Sequence, residues 1–571
     1  MDQQASRFDY IIVGGGTAGC ILANRLTADG RHRVLVLEAG ENASSRWISI
    51  PAGFSKLLTD PRFNWRFATE PEDNTRGRVI SVPRGKGLGG STLINGMIYV
   101  RGQPGDYDAW ARAGATGWGA GEVMDVFRQI ENYAPGGASR GNAAQGDASP
   151  RYASSGVASL RDASQRADAP VGALRGHEGP MHLEQVAERF PLSDAFLQAA
   201  QQDGQPLNPD YNGASQEGFG YYQVLQHRGQ RWSVVDGYLK PALKRPNLSV
   251  ECGAHVTRLL FEGTRCVGVE YRQHGRTLQA RAGRETLLCL GAVQTPQLLE
   301  LSGVGNPELL RRHGIGVVLA RHGVGEHYID HYATRMNWRV RNTVTLNEMS
   351  RGMRLARQVA SYYAMRRGIL TLGTGLVHGF VRTRDDLATP DVQYFFVHAS
   401  YANAAERILD REPGMTIGVA QLRPESIGSI HIKSPDPFSG PSIRPNFLAA
   451  EEDRRSLVEG MKLARRIVSQ PALRQYVAHE MSPGDNVHSD DEWLDFARAN
   501  GQTIYHPVGT CRMGSDADAV TDPRLRVRGI AGLRVVDASV MPSMVSGNTQ
   551  GAVMMVAEKG ARMILEDARQ P

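Results

Sequence analysis

Three glycines at fixed spacing, Gly14, Gly16 and Gly19, separate an apolar run, Phe8–Val13, from a run of small and apolar residues, Cys20–Leu26. The first run predicts a strand and the second a helix; Arg33–Leu37 follows as a second strand and ends at Glu38. Glycine lets the chain turn tightly and lets a ligand approach the helix N-terminus, where free N–H groups and the helix dipole favour negative charge. Glu38 lies 19 residues beyond Gly19. An acid at that distance suits a ribose 2′-hydroxyl and repels a 2′-phosphate. The unit predicts dinucleotide binding through Gly14, Gly16, Thr17, Ala18, Gly19, Glu38 and Ala39, and leaves NAD and FAD open.

Glycine is in excess throughout: 64 of 571 residues, without a period, in clusters between apolar runs. Other classes fall away on composition. No stretch approaches 18 uninterrupted apolar residues, so no spanning helix is expected. The N-terminus lacks the positive region of a secretory signal. The five cysteines are scattered, without a CxxC pair, which fits a reducing compartment and argues against structural zinc. A net charge of +6, spread along the chain, makes no case for nucleic acid binding.

Further along, Gly85–Ser91 forms a second glycine cluster, with helical periodicity expected from Thr92. Residues 134–175 are rich in Ala, Gly, Ser and Arg and are expected to form a flexible insertion. Leu248–Ala280 alternates as in a small antiparallel sheet. Glu285–Leu290 predicts a buried strand running into a helix after Gly291. Residues 332–450 are strand-rich; Asp453–Ser469 and Asp490–Ala499 predict amphipathic helices. Leu533–Val536 predicts a strand and Gln550–Leu565 a closing helix.

The segment Gly85-Lys86-Gly87-Leu88-Gly89-Gly90-Ser91-Thr92-Leu93-Ile94-Asn95 resembles the first signature of the glucose–methanol–choline oxidoreductase family, and Gly291–Gly305 (GAVQTPQLLELSGVG) resembles the second. With the N-terminal fingerprint and the C-terminal block, the resemblance spans essentially the whole chain. It implies FAD rather than NAD, and oxidation of alcohols. It assigns to the FAD site, beyond the N-terminal unit, Arg84, Gly85, Gly87, Gly89, Gly90, Ser91, Asn95, Gly96, Val256, Ala292, Asp537, Ala538, Asn548 and Thr549. Gly87, Gly89 and Gly90 would let backbone lie against a flat ring without Cβ clashes. Tyr505–Gly514 (YHPVGTCRMG) resembles the segment carrying the family's active-site histidine, which makes His506 the expected base; histidine suits the role because its pKa lies near working pH. Gly547-Asn548-Thr549 resembles the segment of the second catalytic residue; Asn548 would hold the substrate oxygen, with helix N-capping as its plain structural alternative.

Two places depart from the family pattern. Gly323–His331 (GVGEHYIDH) replaces the usual Asn-Leu before an Asp-His pair, and Gln550-Gly551-Ala552 follows Asn548-Thr549. His327 and His331 have the i, i+4 spacing of metal ligands. No third ligand accompanies them, so no metal is expected and a structural role is assigned.

The expected fold is α/β: a Rossmann-like FAD-binding domain of the glucose–methanol–choline and p-hydroxybenzoate-hydroxylase type, with an interleaved α+β substrate domain on an antiparallel sheet. The FAD-binding domain would take residues 1–45, 78–110, 230–330 and 520–571, and the substrate domain 46–77, 111–229 and 331–519. The expected activity is oxidation of a primary alcohol, aliphatic or aryl, to the aldehyde or on to the acid. A choline- or sugar-type dehydrogenase of the same family, a flavin lyase or photodecarboxylase, and a non-catalytic flavin protein are the alternatives. The electron acceptor is left as O₂ or a quinone. The expected location is cytoplasmic, with peripheral contact at the inner face of the membrane if the acceptor is a membrane quinone. Oligomeric state is left open.

Overall fold

The computed structural model describes residues 7–42, 44–134, 174–403 and 407–569. Most of the 134–175 insertion therefore lies outside the described residues. The N-terminal unit forms as the pattern predicts: β1 (Arg7–Val13), α1 (Thr17–Leu26) and β2 (Val34–Leu37). All four residues of β2 are buried, as expected of a parallel strand covered on both faces. β3 (Leu248–Glu251) adds beside β2, and β6 (Arg276–Leu288) runs parallel to β1 on its other side. The strand Leu533–Val535 pairs with the end of β6.

β4 (His255–Glu262) and β5 (Arg265–Gln273) join antiparallel through the first half of β6. The segment Leu248–Ala280 is thus not a separate small sheet. Its first strand completes the parallel core, and the others extend the same sheet, because the 13-residue β6 is long enough to pair in both senses. The helix expected from Thr92 is also absent. Gly90–Leu93 makes a single 3₁₀ turn, and at Met97 the backbone adopts a left-handed φ of 64°, which ends any helical run. α2 (Gly291–Leu301) follows β6 directly.

The second sheet is antiparallel. Its centre is β7 (Tyr332–Val340), β8 (Val377–Val381), β9 (Val392–Val397) and β10 (Gly414–Gln421), in the order β7-β10-β9-β8. β11 (Val477–Ser482) and Gly218–Tyr221 form its edges, and Gln502–Thr503 pairs with the start of β7. The amphipathic α3 (Glu451–Val468) covers one face of β10, and α4 (Gln550–Asp567) packs on α1. The chain crosses between the sheets several times, so residues distant in sequence meet at their junction. Among the described residues, no helix is long and apolar enough to cross a membrane.

One feature of this core carries a pH dependence. His398 is fully buried and stacked on Phe190 at 3.8 Å between ring centroids, and among the described residues neither ring nitrogen has a hydrogen-bond partner. Burial pushes its pKa from 6.5 down to about 3. Above pH 6.5 the group is neutral in both folded and unfolded chains and has no effect. As pH falls from 6.5 towards 3, only the unfolded chain gains the proton, and stability drops by about 1.4 kcal/mol per pH unit. His398→Phe keeps the ring stack and removes this proton. Its melting temperature should fall less than that of the native protein between pH 7 and pH 5; parallel falls would show that His398 does not titrate on unfolding.

Candidate active site

A cavity at the junction of the two sheets runs from the N-terminus of α1 to the face of the antiparallel sheet. At the first end, Gly14, Gly16, Thr17 and Ala18 line it beside Glu38 and Ala39. α1 begins without a side-chain cap, so the N–H groups of its first turn are open to a ligand. Space here depends on missing Cβ atoms. A Cβ at Gly14, where φ is 100°, would stand 2.7 Å from the Cys289 carbonyl oxygen, and one at Gly90 would stand 2.8 Å from the Gly16 Cα.

The Glu38 carboxylate accepts from the backbone N–H groups of Gly15 (2.8 Å), Gly40 (2.8 Å) and Gly87 (3.0 Å). It pins three loops together, and of its four acceptor positions one remains for a hydroxyl. Asp537 is used more fully. It accepts from Gly291 N–H, the Thr295 hydroxyl, and both the N–H and hydroxyl of Ser539. Burial pushes both carboxyls upward, against those donors.

The same cavity is lined by Arg84, Gly85, Gly90, Ser91, Asn95, Gly96, Val256, Ala292, Ala538, Asn548 and Thr549. Gly19, Gly87 and Gly89 stand outside its lining. A Cβ at Gly19 would come within 2.0 Å of the Gly14 carbonyl oxygen, so this glycine serves the close packing of α1 on the loop. Gly87 N–H holds Glu38, and Gly89 N–H donates to the Gly15 carbonyl at 2.7 Å. Gln550, where the chain departs from the family pattern, reaches the Thr17 hydroxyl at 3.2 Å.

His506 and Asn548 meet in this cavity: the Asn548 amide nitrogen is 3.2 Å from His506 Nε2. Asn548 is not a helix cap. α4 starts after Thr549 without a side-chain cap, and the Asn548 oxygen instead accepts from Gln393 Nε2 at 3.1 Å. Behind His506 stand groups that the sequence does not announce. Asp330 accepts the His506 backbone N–H at 2.8 Å and also the hydroxyls of Tyr328 and Thr503. Burial lifts its carboxyl to about 6. His331, expected to be structural for want of a third ligand beside it and His327, has its Nδ1 3.0 Å from His506 Nδ1. His327 instead contacts the Pro542 carbonyl oxygen.

The hydrogens along this chain have a fixed direction because a backbone carbonyl, which only accepts, closes each end. His331 Nε2 lies 3.1 Å from the Leu422 carbonyl oxygen and so carries the proton. Neutral His331 then offers a lone pair at Nδ1, and His506 must donate from its own Nδ1. At the other end, the Tyr222 hydroxyl donates to the Tyr394 carbonyl oxygen and accepts from Gln393 Nε2, both at 2.9 Å. That orients the Gln393 amide, which orients Asn548 with its NH₂ towards His506. Both readings leave His506 Nε2 as a lone pair in the cavity. Burial keeps both rings neutral: His331 is pushed down to about 4, and His506 falls well below the ordinary histidine range through burial, then through His331 and Arg84.

Two family models, both described as GMC oxidoreductase, match residues 8–333 and 424–557. The chain is 38% identical over 564 residues to the alcohol dehydrogenase [acceptor] of Pseudomonas putida, covering 98% of this chain and 96% of that one. It is also 38% identical over 581 residues to the mitochondrial choline dehydrogenase of Mus musculus, covering 99% and 91%. Among solved structures, a formate oxidase of Aspergillus oryzae, a protein that carries FAD, superposes with a TM-score of 0.86 at 27% identity, over 98% of each chain. The uncapped N-terminus of α1, the loops held by Glu38 and the glycine-lined cavity fit that cofactor. The chain belongs to the GMC oxidoreductase family, and FAD is its cofactor.

Proposed function

We propose that the protein oxidises a primary alcohol, aliphatic or aryl, to the aldehyde, and on to the acid when the aldehyde hydrate re-enters the site. The observation that carries this reading is the lone pair of His506 Nε2 beside the Asn548 amide, held in place by a hydrogen-bond chain with carbonyls at both ends. Gly14, Gly16, Thr17 and Ala18 would hold the FAD pyrophosphate, Glu38 a ribose hydroxyl, and Gly90, Ser91, Asn95 and Gly96 the ring. When bound, FAD supplies the hydride acceptor.

The protein's part is the proton. A substrate hydroxyl between the two side chains donates to His506 Nε2 and accepts from Asn548, replacing their 3.2 Å contact. A base held so far below the usual histidine range does not ionise a resting alcohol. The proton moves as hydride leaves the carbon, because the hydroxyl of the resulting protonated carbonyl is a strong acid. The imidazolium then formed keeps its Nδ1–H on the His331 lone pair, which stabilises the charge without a carboxylate partner. Asn548 fixes the oxygen so that the carbon faces the cofactor.

A photodecarboxylase has no need of this ordered base, and the His506–Asn548 pair favours oxidation over it; a lyase that cleaves a carbinol would use the same base, and flavin bleaching separates that reading from oxidation. The electron acceptor is proposed as O₂ or a quinone. The test is an anaerobic panel of alcohols followed by flavin bleaching in the dark, then readmission of air or a quinone. Bleaching by primary alcohols supports the reading. Bleaching by no alcohol, or only under light, overturns it.

A further inference from the structure

The proton-handling chain accounts for one end of the face that the antiparallel sheet turns to the cavity. The other end carries guanidiniums that, among the described residues, have tyrosine hydroxyls but no carboxylate as partners. Among the described residues, the carboxyl and guanidinium side chains lining the cavity are Glu38, Asp537, Arg84, Arg335 and Arg407. Both carboxylates are held by backbone and hydroxyl donors, as described above. Arg84 gives its Nε to the Pro83 carbonyl and its Nη2 to the Tyr505 carbonyl. Arg335 and Arg407 remain. Their charged and ionisable neighbours are each other, Tyr401 and Tyr505, and among the described residues neither makes an ion pair. Tyr505 contacts both guanidiniums and Tyr401 contacts Arg407, which raises the Arg407 pKa against its burial; among the described residues no carboxylate joins them, so Arg335 still feels the charge of Arg407. Even so, Arg335 is pushed down only to about 10, by burial and then by Arg407, and stays charged at neutral pH.

The sheet register fixes where this charge lies. Gln393, which holds Asn548, is two residues before Phe395 on β9, so both point to the same face. Phe395 is paired with Gly418 of β10, and Gly418 with Arg335 of β7. Arg335 therefore stands two strands from Phe395, about 9.6 Å across the sheet. Gly418 puts no side chain between them, and Val397 and Ile504 supply apolar lining in the same cavity. Arg407 reaches it from beyond the strand containing Tyr401, near the ring of Phe54.

We propose that Arg335 and Arg407 form an anion-recognition subsite, and that the substrate is an alcohol carrying a carboxylate across a short apolar spacer from its hydroxyl. The inference rests on the alcohol-oxidation reading and specifies its substrate class. A planar guanidinium fork matches a carboxylate in bidentate geometry, and a carboxylate entering here removes the repulsion between the two arginines. The same charge disfavours a quaternary ammonium alcohol.

The test uses the FAD-loaded enzyme and three alcohols of matched length: a hydroxyalkanoate, the diol and the hydroxyalkyl-trimethylammonium, taken as a series from three to eight carbons. Anaerobic flavin bleaching gives the reduction rate over dissociation constant for each. The hydroxyalkanoate should exceed the diol by roughly 30-fold at its best length, the scale of one hydrogen-bonded charge pair, with the ammonium alcohol lowest. In Arg335→Gln and in Arg407→Gln that ratio should fall towards unity, and Arg335→Lys should keep part of it. A native ratio near unity, or a ratio unmoved in Arg335→Gln, overturns the subsite. A second readout does not need turnover: titration of the flavin spectrum with a simple alkanoate should give binding at least about tenfold weaker in Arg335→Gln. Equal binding overturns the proposal. If neutral alcohols bleach the flavin but anionic ones show no advantage, only the subsite fails. If no alcohol bleaches it, the oxidation reading fails, and the alkanoate titration still decides the subsite.

Discussion

His506→Ala should retain FAD and lose about three orders of magnitude in the anaerobic rate of flavin reduction by alcohol, within the range spanned by general bases. The cofactor should stay because its site is built mainly from the α1 N-terminus and the loops pinned by Glu38 and Asp537, none of which depends on the imidazole. The rate should fall because Asn548 can still hold a hydroxyl but cannot take its proton. Stopped-flow absorbance under nitrogen reads both quantities: bound flavin before mixing, and its bleaching afterwards. Reduction within tenfold of the native rate would remove His506 from its role.

The second large effect is expected one residue further from the substrate. His331 makes no contact with a substrate hydroxyl in this account; it accepts the Nδ1–H of His506 and so determines which His506 nitrogen is free. His331→Phe leaves that N–H without a partner and lets the proton sit on either nitrogen. Reduction should slow by about 100-fold, less than for loss of the base itself and less than the roughly 10⁴-fold cost of a wholly wrong tautomer, because the proton is shared between the two nitrogens. His331→Gln offers an amide oxygen to His506 and an NH₂ to the Leu422 carbonyl, and should recover most of the loss. The fall should lie in the reduction rate rather than in substrate affinity. Equal rates for His331→Phe and His331→Gln would show that His331 acts only by filling space.

The residues legible in the sequence are those whose role is local. The turn at Gly14–Gly19 and the acid at Glu38 can be read because the strand, turn, helix and strand follow one another and each imposes a residue type. His506 and Asn548 follow from the family resemblance, which carries identity but not surroundings. What stayed hidden depends on pairing between distant strands. His331 reaches His506 because Gln502–Thr503 adds to the start of β7, and Gln393 faces Asn548 through the register of β9. A period of two marks a strand but not its neighbours, and for the same reason the alternation of Leu248–Ala280 predicts a small antiparallel sheet without showing that it continues the parallel one. Gly87 and Gly89 are required by left-handed backbone, with φ of 120° and 98°, which leaves the same glycine signature as contact with a ring. The helix expected from Thr92 failed at Met97, whose left-handed backbone has no marker in an apolar run.

Neutron diffraction from crystals of the FAD-loaded enzyme near pH 7 tests the central claim most directly, because it locates the hydrogens on which the account of the base depends. The account predicts a proton on His506 Nδ1, a proton on His331 Nε2, and none on His506 Nε2, with the Asn548 NH₂ turned towards that bare nitrogen. A proton on His506 Nε2, or on both nitrogens of either ring, would contradict it.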